Sequence, residues 1–87
     1  MFELTDTPKL SRLFRMQWEE AQSAYVLLYP EGMVKLNQSA SEILKRCDGN
    51  ADVAAIVAQL EATFAQTGLQ DDVLAFIADA RERGWLV

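Results

Sequence analysis

The stretch LYPEGMVKLNQSASEIL, residues 28–44, decides the fold. Within it one strand ends, a tight turn follows, another strand runs and a helix begins. In Pro30-Glu31-Gly32, proline presets φ at the first turn position and glycine accepts the positive φ needed to leave it. Met33 to Leu36 then alternates, with Val34 and Leu36 on one side and Met33 and Lys35 on the other. Beyond Asn37 the apolar spacing turns helical: Ala40, Ile43, Leu44 and Cys47 fall at i, i+3, i+4 and i+7. Two helix starts compete. Ser39-Ala40-Ser41-Glu42 reads as a capping box, the serine oxygen accepting from the amide three residues on while Glu42 reaches back. Asn37 is the alternative cap.

Upstream, Leu13 to Glu19 alternates strictly, with Phe14, Met16 and Trp18 on one face, which predicts a half-buried strand. Glu20 to Ser23 is a polar connection. Ala24 to Tyr29 is apolar enough to be a strand covered on both faces. Residues 1–11 contain Pro8 and show no clear period, so they read as an extended, loosely ordered arm ahead of a domain over residues 12–87. Downstream, Asp48-Gly49 closes the first helix, with glycine suited to the left-handed position past its end. Asn50 or Asp52 opens the second, whose apolar set is Val53, Ile56, Val57, Leu60 and Phe64, and Thr67-Gly68 stops it. Gln70 to Arg83 forms the third, with Val73, Phe76, Ile77 and Ala80 inward and Gly84 at its end. The expected fold is α+β: a three-stranded antiparallel sheet followed by three helices, with the helices on one side. The closing helices echo a helix-turn-helix with the sheet as a wing.

Composition narrows the function. At 87 residues, 51 % apolar and 24 % charged, the chain is one small folded domain. It has no histidine and one cysteine, which excludes disulfide frameworks, the usual zinc sites and any His-dependent triad. Cys47 ends the apolar series of the first helix and reads as a half-buried structural thiol. No basic n-region with an apolar h-region opens the chain, and no apolar run approaches the ~18 residues of a membrane span. A cytoplasmic protein without membrane contact is the expectation. Glu19-Glu20 and Asp71-Asp72 are neighbours in sequence, so their side chains diverge. The latter pair suits the first turn of a helix through the helix dipole. The glycines at 32, 49, 68 and 84 each mark an element end, which leaves no phosphate loop. Serines 11, 23, 39 and 41 have no histidine to activate them and lack the setting of a carrier-protein serine. An enzyme is not expected, nor is a cofactor or a metal.

The net charge is −5, and residues 52–87 carry six acids against Arg81 and Arg83 alone. A DNA reader presents Lys and Arg to phosphates, so the third helix, at net −2, argues against nucleic acid. Binding of a peptide remains. If the strands pair in sequence order, Met33 to Asn37 is a sheet edge, which natural proteins protect by brevity and charge, here Lys35. An edge beside an apolar helix groove is also the geometry for adding a peptide strand. At about 100° per residue, Leu74, Ala78 and Arg81 form a stripe flanking the core face of the third helix. That stripe is either a wider core face or one wall of such a groove.

The runs RMQWEEAQ, LLYPEGMVKLNQSASEILKRCDG and the closing RGWL closely resemble the PqqD family of pyrroloquinoline quinone biosynthesis, over roughly Pro8 to Leu86. The resemblance implies a precursor-recognition element of winged-helix-like fold that binds the ribosomal precursor peptide PqqA. It would present that peptide to PqqE, a radical S-adenosylmethionine enzyme that joins a glutamate and a tyrosine of the peptide. The resemblance also implies a leader strand lying beside the third strand and against the third helix. That places the peptide on Met33, Val34, Lys35, Leu36 and Asn37, opposite Leu74, Ala78 and Arg81. An acidic regulatory module and a small quinone-binding carrier subunit are the alternatives. A free edge and a loose arm also invite strand exchange or a homodimer.

Overall fold

The computed structural model describes residues 3–87. Three strands, β1 (Arg15–Glu19), β2 (Ala24–Tyr29) and β3 (Gly32–Lys35), precede three helices, α1 (Gln38–Lys45), α2 (Val53–Phe64) and α3 (Gln70–Glu82). The sheet is antiparallel throughout in the order β1-β2-β3. The expected α+β architecture is therefore present. β2 is central, and its Val26 and Leu27, which face opposite sides, are both 0 % exposed. A single 3₁₀ turn, Glu20–Gln22, joins β1 to β2 and leaves through Ser23 in the left-handed region at φ 49°.

The alternation assigns one face of the sheet to the helices. Leu27 and Leu36 are buried in the same core as Ile43, Leu44, Ile56, Leu60, Val73 and Ile77, and Phe14, Met16, Tyr25 and Val34 border it. Trp18 departs from the expected half-buried face. It is 48 % exposed at the end of β1, packs edge-on against Tyr25 at 5.2 Å, and donates from Nε1 to Glu20 at 2.6 Å. The core face of the sheet thus thins out toward Trp18.

Three local expectations change. The helix start is set by Asn37, whose Oδ1 accepts from the Ala40 amide at 2.7 Å, so Asn37 rather than Ser39 is the cap. Glu42 does not reach back to close a box. It turns along the helix to Arg46 at 2.9 Å and Lys45 at 3.2 Å, and the Arg46 hydrogen bond first, then Lys45, hold its carboxyl below the usual range. Asp52 caps α2 by accepting from the Ala55 amide. That helix stops before Thr67-Gly68, because Ala65 enters the left-handed region at φ 51°. Cys47 is more deeply placed than half-buried: its Sγ donates to the Ile43 carbonyl, and burial, aided by the Asp48 charge, pushes the thiol up to about 12.

The larger correction concerns the N-terminal arm. Residues 4–11 are bonded into the body, so the domain does not start at residue 12. Lys9 and Val87 exchange both backbone hydrogen bonds, and the Ser11 amide donates to the Trp85 carbonyl. On the arm's other side the Leu10 amide donates to Cys47 and the Gly49 amide to Pro8. The carbonyls of Leu4 and Asp6 accept from Ala54 and Val53, two of the otherwise unpaired amides that open α2. Gly49 is required here. It sits at φ 84°, and a Cβ would come within 3.2 Å of the Lys9 side chain. Met1 and Phe2, also assigned to the arm, lie outside the described residues.

Candidate peptide-binding edge

Among the described residues, no segment pairs with the outer side of β3. Its register against β2 runs Tyr29↔Gly32, Leu27↔Val34 and, one step on, the Leu36 amide donating to the Tyr25 carbonyl at 2.9 Å. Hydrogen-bonded pairs alternate with non-hydrogen-bonded ones in an antiparallel ladder. Gly32, Val34 and Leu36 therefore spend their backbone groups on β2, while Met33 and Lys35 turn theirs outward. The edge offers two donors and two acceptors at every-other-residue spacing, which is what an added strand uses.

The side chains of the expected site separate by face. Met33 is 48 % exposed and Lys35 is exposed, both on the face away from the helices. Val34 is half-buried on the core face, and Leu36, at 4 % exposed, belongs to the core. Asn37 is exposed but its carbonyl oxygen is committed to the helix cap. On α3, Leu74 is half-buried and borders the same core as Val34. Ala78 and Arg81 continue that stripe on exposed positions. The core thus brings Val34 and Leu74 to one body of packed side chains, whereas Ala78 and Arg81 lie outside it.

Where the strands end, a depression of about 350 Å³ opens between sheet and α1, lined by Trp18, Tyr25, Leu36, Asn37, Glu42 and Lys45 among others. Lys45 lies 4.5 Å from the centre of the Tyr25 ring. Its ammonium is held above the usual lysine range, chiefly by its hydrogen bond to Glu42. The sequence pattern placed Trp18 and Tyr25 in a strand pair but gave no sign that α1 would bring an ion pair to them.

A short sheet packed on one face against three helices, with a β3 edge that no described segment pairs with, makes this an α+β domain. One solved structure shares this build over the whole of the present chain. The solution NMR structure of the PqqD truncation of Methylobacterium extorquens PqqCD matches with a TM-score of 0.83 and 29 % identity, covering 100 % of this chain and 95 % of that one. It is described as a functional, stand-alone recognition element for ribosomally synthesized and post-translationally modified peptides. Residues 24–86 match the family model of coenzyme PQQ synthesis protein D, and the chain belongs to the PqqD family. Relatives called PqqA binding protein include one from Azotobacter vinelandii, 56 % identical over 84 residues, and one from Pseudomonas aeruginosa, 55 % identical over 84 residues. Each alignment covers 95 % of this chain and 91 % of the relative.

Proposed function

We propose that this protein binds the precursor peptide PqqA as an added strand on β3 and hands it to the radical S-adenosylmethionine enzyme PqqE. The observation that carries the reading is the pair of outward-turned residues, Met33 and Lys35, on an edge that no described segment covers. Backbone pairing supplies affinity without demanding a fixed side-chain sequence, and α3, through Leu74, Ala78 and Arg81, forms the opposite wall. The protein performs no bond chemistry itself. It orders a flexible peptide and raises its effective concentration at the enzyme. The relatives' name and the solved neighbour's description support the peptide-binding half of this reading.

Titration of the isotope-labelled protein with synthetic PqqA, followed through its backbone amides, tests the site. Shifts are expected at Met33, Lys35 and along α3. Shifts confined elsewhere would reject it. The transfer half is tested by cross-linking of PqqA in reactions with PqqE, with and without this protein; equal yields would remove the chaperone role.

A further inference from the structure

The sulfur atoms of the chain belong to three methionines and one cysteine, and they differ in access. Cys47 is 4 % exposed, with its Sγ tied to the Ile43 carbonyl. Met16 is half-buried and borders the core beneath the helices. Met33 is 48 % exposed. Among the described residues, Met33 therefore carries the one sulfur that stands open to solvent, and it stands on the unpaired edge.

We propose that Met33 is a redox switch on that edge: hydrogen peroxide converts it to the sulfoxide, and the sulfoxide form binds the peptide more weakly. The inference rests on strand addition at β3 and names how that addition is regulated.

The chemistry needs no further group. A sulfur lone pair attacks one peroxide oxygen, so that an S–O bond forms and the O–O bond breaks. The transferred hydroxyl gives its proton to the departing hydroxide, and water leaves. The thioether is oxidised by two electrons and the peroxide is reduced by two. Placement gives the step its consequence. Met33 pairs across the strands with half-buried Leu28, on the face away from the helices. Its amide and carbonyl turn toward the incoming strand. A residue of that strand set opposite Met33 brings its Cβ to about 5 Å from the Cβ of Met33, so the two side chains touch. Oxidation replaces a flexible apolar side chain in that contact by a polar one. Docking must then strip water from the sulfoxide oxygen, which opposes it. The same contact works in reverse, since a docked peptide covers the sulfur and shields it from peroxide.

The full chain is treated with dilute hydrogen peroxide, freed of it by gel filtration and titrated with synthetic PqqA through its backbone amides. Tandem mass spectrometry should place the added oxygen on Met33 roughly tenfold faster than on Met16, and saturating PqqA should slow that oxidation. The oxidised protein should bind PqqA at least about threefold more weakly. Met33→Gln, with a polar group at similar reach, should show a comparable loss without peroxide. Met33→Leu, whatever its own affinity, should bind PqqA equally before and after peroxide. Full oxidation of Met33 with unchanged affinity, or an equal loss in Met33→Leu, overturns the switch; with the Lys35 amide still shifting, strand addition stands. A Lys35 amide that PqqA leaves unmoved overturns both.

Discussion

Asn37 shows how one side chain can decide where a strand becomes a helix. It ends the edge segment and, through its 2.7 Å bond to the Ala40 amide, starts α1. Asn37→Ala should lower unfolding free energy by about 1 kcal/mol, the usual worth of a cap, whereas Ser39→Ala should change it little; urea titration of both variants distinguishes them. Cys47 gives a second residue-scale prediction. With its thiol pushed up to about 12 by burial, the thiolate is scarce at pH 8. A thiol reagent should react at that pH only after denaturant is added, and prompt labelling of the native protein would contradict the burial. Ala65 holds φ 51° at the end of α2, a conformation that costs an L-residue about 1 kcal/mol and glycine almost nothing. Ala65→Gly should therefore raise the melting temperature by a few degrees.

At the scale of the element, β3 is the test piece. Proline at position 35 removes an outward donor and no bond to β2, and its φ suits an edge strand. Lys35→Pro should leave the fold intact and weaken PqqA binding at least tenfold, since one lost hydrogen bond is worth about 1 kcal/mol and the ring also obstructs the incoming strand. Lys35→Ala should matter much less, and Val34→Pro should damage the hairpin itself. Equal binding by folded Lys35→Pro and Lys35→Ala would count against strand addition. The sequence made β2, the Pro30-Glu31 turn and the three helices legible because each is written in local spacing: alternation for the strand, i, i+3 and i+4 apolar positions for the helices. It also made the candidate strand legible as an edge. It could not show which backbone groups face out, since that depends on the pairing phase fixed by the Leu36–Tyr25 bond. Nor could it show the true ties of residues 4–11, because backbone pairing between distant segments leaves no periodic trace in side-chain type.

For the whole molecule, the arm is part of the stability. Seven backbone hydrogen bonds join residues 4–11 to the loop after α1, the start of α2 and the C-terminal segment. A fragment of residues 12–87 should lose at least about 3 kcal/mol, a large share of a small domain's 5–15 kcal/mol; a thermal melt matching the full chain would show the arm to be dispensable. Acid should act at the opposite end of the same scale. The Glu42 and Asp48 carboxyls are both held low in the folded state, Glu42 by Arg46 and then Lys45, Asp48 by the amides of Asn50 and Ala51. Their stabilising contribution is complete above the ordinary carboxylate range and disappears as pH falls through their lowered values. Stability should thus decline below about pH 4.5, with Glu42→Gln flattening part of the decline. Sedimentation of the free protein reports whether the β3 edge is left open or taken up by a second copy, and an edge-paired dimer should dissociate on adding PqqA. One consequence of the Lys9–Val87 pair reaches beyond stability. Lys9 and Val87 lie side by side and antiparallel, and among the described residues neither the 4–11 segment nor the C-terminal one takes part in β3 pairing. If β3 is the docking strand proposed above, a tether attached at Val87 should leave it unobstructed, and PqqA should bind a C-terminally tethered protein as tightly as the free one.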